Sequence, residues 1–172
     1  KENDFAAYRL LLSKLTERLE QIYASGKSPQ LNLLTDRMML DKMNNCEAGD
    51  TTITLAPDGK FYVCPAFYLS ADGYAVGDLI NGLDIKNSQL YRLDHAPICR
   101  NCDAYQCKRC IWLNRKTTCE VNTPSHEQCV IAHLERNASR DFLSNIRKHG
   151  AFLPDKEIKE ISYLDPFENL KL

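Results

Sequence analysis

The residues best equipped for chemistry are eight cysteines: Cys46, Cys64, Cys99, Cys102, Cys107, Cys110, Cys119 and Cys129. Four of them form two Cys-x-x-Cys pairs, Cys99 with Cys102 and Cys107 with Cys110, and only four residues separate the pairs. A two-residue spacer lets both sulfurs converge on one metal centre while the intervening amides point at them. One structural zinc on these four thiolates is the simplest outcome. Zinc ribbons and fingers, however, set their pairs about a dozen or more residues apart so that the chain can turn between them. A single zinc would also leave Cys46, Cys64, Cys119 and Cys129 unused, whereas two four-iron clusters would use all eight. An even count would suit four disulfides in a secreted chain, but most of this sequence reads as ordinary amphipathic helix that needs no such stapling.

Local charge agrees with a cluster. Between Cys99 and Lys116 stand Arg100, Lys108, Arg109, Arg115 and Lys116, against Asp103 alone. Nearby cations offset the negative charge of a four-thiolate iron cluster and raise its potential. A basic zinc knuckle gripping nucleic acid, with Tyr105 and Trp112 as stacking surfaces, would use the same charges. The positive run is short and the whole chain carries a formal charge of -1, so nucleic acid is not expected as a partner. Apolar stretches such as Leu10-Leu11-Leu12 are quickly interrupted by charge, so no membrane span is expected either. A chain that opens at Lys1-Glu2-Asn3 without a methionine reads as an excised segment of a cytoplasmic protein.

The elements that must position these thiols follow from periodicity. Phe5, Tyr8, Leu12, Leu15, Leu19 and Ile22 recur at helical spacing and predict an amphipathic helix that starts at Asn3 or Asp4 and stops at Gly26. A second helix is expected from Thr35 to about Met43, ending in the turn Asn44-Asn45 before Cys46. Residues 51–55 and 60–64 alternate around Ala56-Pro57-Asp58-Gly59, which predicts a β-hairpin that brings Cys46 and Cys64 towards one another. Residues 74–80 could add a third strand and 87–93 a brief helix, while 96–122 shows little periodicity, as expected of a metal-organised loop. Thr123-Pro124-Ser125 starts a long helix expected to reach Lys148 and stop at Gly150, with Val130, Leu134, Ala138, Phe142 and Ile146 facing the core. A weak helix is expected near 155–161. The expected fold class is α+β: a small β-hairpin and an irregular cysteine-rich core flanked by amphipathic helices.

The order of these features resembles the SPASM domain, the auxiliary-cluster extension of many radical SAM enzymes that act on peptides and proteins. That family's pattern is a Cys, a spacer, Gly-x4-Cys, a gap, Cys-x2-Cys-x5-Cys-x3-Cys, another gap and a last Cys. Here Cys46, twelve residues and Gly59-Lys60-Phe61-Tyr62-Val63-Cys64 meet the first element. The central element appears as Cys99-x2-Cys102-x4-Cys107-x2-Cys110, one residue shorter in two places. Residues 50–68 and 96–114 look closest to maturases of Cys-x-x-x repeat peptides. The resemblance implies two 4Fe-4S clusters with crossed ligation: Cys46, Cys64 and Cys110, with Cys119 as candidate fourth ligand, hold the first. Cys99, Cys102, Cys107 and Cys129 hold the second, and Cys119 and Cys129 could exchange roles.

No Cys-x3-Cys-x2-Cys motif for the cluster that cleaves S-adenosylmethionine is present, so the chain alone is expected to be inactive. The resemblance implies that the enzyme's own radical SAM barrel supplies that chemistry, with S-adenosylmethionine needed only in the full-length enzyme. The auxiliary clusters would serve electron transfer and binding of a cysteine-containing, ribosomally made precursor peptide for thioether formation. Residues 1–43 would then be a helical segment from the end of that barrel or its linker, 44–133 the SPASM-like domain and 134–172 a helical extension and tail. His133 lies one helical turn after Cys129, as a co-ligand or a hydrogen-bond donor to a cluster sulfur. Tyr62, Phe67, Tyr68 and Trp112 suit an apolar wall around a cluster. The alternative is a zinc-stabilised structural or interaction module without redox chemistry, and zinc could also replace iron in an aerobically purified chain.

Overall fold

A computed structural model describes residues 2–43, 46–71 and 73–149 of the 172. The weak helix expected near 155–161 and the stop at Gly150 lie outside the described residues. The fold is α+β, with five α-helices and two small antiparallel sheets among the described residues. Contacts divide these into two compact units, 2–43 with 101–108 and 126–149, and 46–71 and 73–100 with 109–125. This division cuts across the linear segments 1–43, 44–133 and 134–172. The reason is that the long C-terminal helix packs on the first two helices of the chain.

In the first unit, α1 (Glu2–Ala24) and α2 (Asn32–Met39) pack on α5 (His126–Ile146). Leu12 and Leu19 of α1, Leu34 and Met38 of α2, and Leu134, Phe142, Leu143 and Ile146 of α5 form its buried core, with the remaining predicted stripe residues of α1 and α5 packed against it. The Tyr23 and Phe142 rings meet edge-on, centroids 5.0 Å apart. α1 ends as expected at Gly26, whose φ of +82° closes a Schellman turn: Gly26 N donates to Tyr23 O and Lys27 N to Ile22 O. α2 begins earlier than predicted and stops short of Met43. Thr35, expected at its start, sits one turn inside, its hydroxyl accepting from Leu31 N at 2.9 Å and donating to Leu31 O at 3.0 Å.

In the second unit, β1 (Thr54–Leu55) pairs with β2 (Phe61–Tyr62), Thr54 opposite Tyr62 and Leu55 opposite Phe61. This is the predicted hairpin, shorter than expected. Its turn is held by Asp58, whose carboxylate accepts from Lys60 N and the Tyr62 hydroxyl, and by the positive φ of Gly59. The short helix α3 (Pro65–Tyr68) follows directly. The segment expected as a third strand instead forms its own hairpin, β3 (Gly77–Asp78) with β4 (Gly82–Leu83), joined to the first by the Lys60–Asp78 bridge. The brief helix expected over 87–93 is realised as 3-10 turns over Ser88–Tyr91 and Leu93–His95. The stretch 96–122 is not all loop: α4 (Ile111–Thr118) buries Ile111 and Asn114, and the Asn114 amide donates to Val121 O at 2.9 Å. The core gathers Ala48, Tyr62, Val63, Phe67, Val76, Tyr91, Ile111 and Val121.

Among the described residues no helix is long and apolar enough to cross a membrane. Phe142 is fully buried at the centre of the helical core. Phe142→Ala should lower unfolding free energy in urea by about 3–5 kcal/mol, whereas Leu10→Ala, at a site 58% exposed, should change it by no more than about 0.5 kcal/mol.

Candidate metal centre

None of the eight cysteines forms a disulfide. Five belong to the second unit: Cys46, Cys64, Cys99, Cys110 and Cys119. The other three, Cys102, Cys107 and Cys129, belong to the first. The chain between Cys107 and Cys110 therefore leaves one unit for the other. Of the sequence-predicted sets, Cys46, Cys64, Cys110 and Cys119 share a unit, and so do Cys102, Cys107 and Cys129. Cys99 belongs to the second unit and its expected partners to the first, the boundary falling between Arg100 and Asn101.

Secondary structure explains the placement of each thiol in the second unit. Cys64 stands two residues after β2 as the N-cap residue of α3, its carbonyl accepting from Phe67 N. Cys110 caps the N-terminus of α4, accepting from Asn114 N at 2.9 Å, and Cys119 ends that helix with φ +64°. The structure does not bring Cys110 and Cys119 together: nine residues at 1.5 Å rise separate their backbones by about 13 Å. Cys119 instead lines a cavity of about 400 Å³ with Tyr74, Tyr91 and Arg115, and no other cysteine lines it. Arg115 stacks over the Tyr74 ring at 4.9 Å. Tyr62 and Phe67, expected around a cluster, are buried core residues, and Trp112 packs against the same core.

In the first unit, Cys129 and His133 lie four residues apart on α5 and both are buried. His133 Nε2 stands 3.4 Å from Cys102 Sγ, and Ala104 N donates to the same sulfur at 3.4 Å. Burial pushes the Cys102 thiol up to about 11, and the charges of Asp103 and Cys107 push the same way, against the Ala104 amide and Arg136. Without a cation to hold the thiolate, Cys102 is therefore protonated at neutral pH, and metal binding would release a proton.

The sequence reading missed what lies beside this loop. Asp103 accepts from Arg37 Nη2 at 2.9 Å and from Arg136 Nη1 at 2.8 Å, with all three residues buried. Burial pushes the Asp103 carboxyl up, but Arg136 and then Arg37 outweigh it and hold the group below the usual carboxylate range. Arg37 also lies over the Tyr105 ring at 5.4 Å. A lone acid inside a basic cysteine loop was the only available signal, since Arg37 and Arg136 lie on distant helices. Of the cations expected to offset a cluster, Arg109 is buried and donates to Tyr91 O, while Arg100, Lys108 and Lys116 are exposed.

Among the described residues no three His, Cys, Asp or Glu side chains gather closely enough to hold a metal ion. The eight thiols are uncrosslinked, the Ala104 amide donates to Cys102 Sγ, and Arg37 Nε and Nη1 are buried without an acceptor. Comparison with family models, curated proteins and solved structures gives no match. In the reduced, metal-free chain, iodoacetamide should label the exposed Cys46, Cys110 and Cys119 first and the buried Cys99 and Cys129 last. Cys102 labelling should keep rising up to about pH 11, as followed by peptide mass spectrometry.

Proposed function

We propose that this chain is the auxiliary cluster-binding region of a cytoplasmic radical SAM enzyme that modifies a cysteine-containing, ribosomally made peptide. On this reading Cys46, Cys64 and Cys110 hold one 4Fe-4S cluster, and Cys102, Cys107 and Cys129 hold ligand positions of a second. One observation carries it. Cys110 follows Cys107 by three residues yet shares a unit with Cys46 and Cys64, while Cys102 and Cys107 share theirs with Cys129. This grouping parallels the crossed ligation that the SPASM resemblance implies, and it supports the assignment of two centres over a single zinc on Cys99, Cys102, Cys107 and Cys110. Cys99 as a ligand rests on the resemblance alone.

Because α4 holds Cys119 away from Cys110, the fourth position of the first centre is open to a cysteine of the peptide substrate. Bound clusters supply one-electron transfer and a Lewis-acidic iron for a thiolate. Radical initiation belongs to a barrel outside these 172 residues, because the Cys-x3-Cys-x2-Cys motif is not among them. His133 acts as a hydrogen-bond donor to Cys102. In a four-iron cluster each thiolate takes its own iron, and 3.4 Å is too close for ligands on two different irons.

The same distance favours one second reading. Zinc with bonds of about 2.3 Å to sulfur and about 2.0 Å to nitrogen holds its ligand atoms about 3.5 Å apart, so Cys102, Cys107, Cys129 and His133 could form a Cys3His zinc site within one unit. Anaerobic reconstitution with iron and sulfide, followed by metal and sulfide analysis, separates the two. The cluster reading expects about eight irons and eight sulfides per chain, with about half lost in Cys64→Ser and none lost in His133→Ala. Stoichiometric zinc without sulfide, unchanged in Cys64→Ser and lost in His133→Ala, would sink it.

A further inference from the structure

The cavity that Cys119 lines lies wholly within the second unit and measures about 400 Å³, inside the range of about 300–1,000 Å³ that small-molecule sites occupy. Two cations, Arg115 and Lys86, and two acids, Asp84 and Glu120, line it together. None of these four side chains makes an ion pair or a hydrogen bond among the described residues. Arg115 lies over the Tyr74 ring at 4.9 Å, and a stacked guanidinium keeps the N–H groups at its edge for other partners.

The buried wall of the cavity adds a donor. Tyr91 is 5% exposed, and its hydroxyl meets that of Tyr74 at 3.3 Å. Two hydroxyls that share a single hydrogen bond use one proton between them, so the other O–H has no acceptor among the described residues. Burial, and then the Tyr74 hydroxyl, push the Tyr91 phenol up against the opposing charge of Arg115, so it keeps its proton at neutral pH. Charges of both signs around one cavity select a zwitterion: carboxylates against Arg115, Lys86 and the free hydroxyl, and an ammonium against Asp84 and Glu120. Cys119 is exposed and uncrosslinked on the same cavity.

We propose that this cavity is a thiol-modification site, in which Cys119 forms a mixed disulfide with an amino-acid or short-peptide disulfide whose carboxylates and ammonium these charges recognise. The Cys119 thiol gives its proton to solvent and its sulfur attacks one sulfur of the ligand. The new S–S bond forms as the ligand's own S–S bond breaks, and the other half leaves as a thiolate. The ligand is the oxidant: Cys119 is oxidised into the mixed disulfide and the departing half is reduced. The modification is reversible by a free thiol. No metal takes part, so the site stands independently of the cluster reading.

The test uses the whole 172-residue chain freed of reductant, with Cys119 followed by peptide mass spectrometry. Two reagents are compared: glutathione disulfide, which is zwitterionic, and 2-hydroxyethyl disulfide, which is neutral. The ratio of their rates is referred to the same thiol in the chain unfolded in urea, which cancels the reagents' own reactivities. The folded chain should favour glutathione disulfide at Cys119 by about tenfold over that reference. Arg115→Gln and Lys86→Gln should each cut this preference about threefold or more, and Arg115→Lys should keep most of it. The rate with 2-hydroxyethyl disulfide should stay unchanged in all three, whereas a distorted cavity would change both rates alike. A folded-state ratio equal to the urea reference overturns the proposal, and so does a preference that Arg115→Gln and Lys86→Gln leave intact. If Arg115→Gln does not fold, Lys86→Gln, at an exposed position, decides alone.

Discussion

The carboxylate of Asp103 ties together three segments far apart in sequence. It lies on the loop at 101–108 and accepts from Arg37 on α2, 66 positions away, and from Arg136 on α5, 33 positions away. A buried ion pair of this kind contributes little net stability compared with apolar residues of the same volume. What it enforces is register. Sliding α2 along α5, or releasing the loop, strands at least one buried charge, a cost of several kcal/mol. Ser139, whose hydroxyl donates to Leu34 O at 2.6 Å, and the core around Leu34, Met38 and Phe142 then have only one alignment in which to pack.

How much of this was legible in the sequence depends on whether the signal was local. The stripes of α1 and α5 were readable because a 3.6-residue repeat survives in any context that buries one face. Gly26 was readable as a stop because only the left-handed region closes that turn. The start of α2 at Asn32 rather than Thr35 was missed because the N-cap residue, Leu31, carries no capping side chain, and the helix start is fixed instead by Thr35 bonding back to Leu31. α4 was invisible because its eight residues include Asn114, which looks like a turn former. Its buried amide bond to Val121 is tertiary. The Arg37–Asp103–Arg136 network was likewise beyond reach, since nothing in sequence joins an arginine on one helix to an aspartate many residues away.

The thiols divide along the same line. Their identity and spacing are the whole ground for expecting metal chemistry, because few other uses explain two Cys-x-x-Cys pairs among eight cysteines. Which thiols can share a centre depends on what folds between them. Nine positions of separation between Cys110 and Cys119 are compatible with one site if the chain loops, and incompatible if it is helix. The chain is helix there, so Cys119 faces a cavity with an aromatic pair and an arginine rather than its expected co-ligands. Its αL conformation ends the helix there, the backbone amide donating to Arg115 O.

Helix α5 and its partners bury a continuous apolar core. The second unit is built differently. Each of its sheets pairs strands of only two residues, and hairpins that short are not stable alone. Gly49 shows how tightly the little core is drawn: a Cβ there would meet the Tyr91 ring at 2.7 Å. Small cores of this kind hold when something covalent or coordinate ties their loops. Disulfides are not used, although Cys46, Cys64 and Cys110 stand at a loop and at two helix caps. Those are the points a metal ligand must fix to convert binding energy into folding energy. On the proposed reading the two units differ in what holds them: apolar packing organises the helical unit, while in the second unit ligation supplies the constraint that its two-residue strands lack.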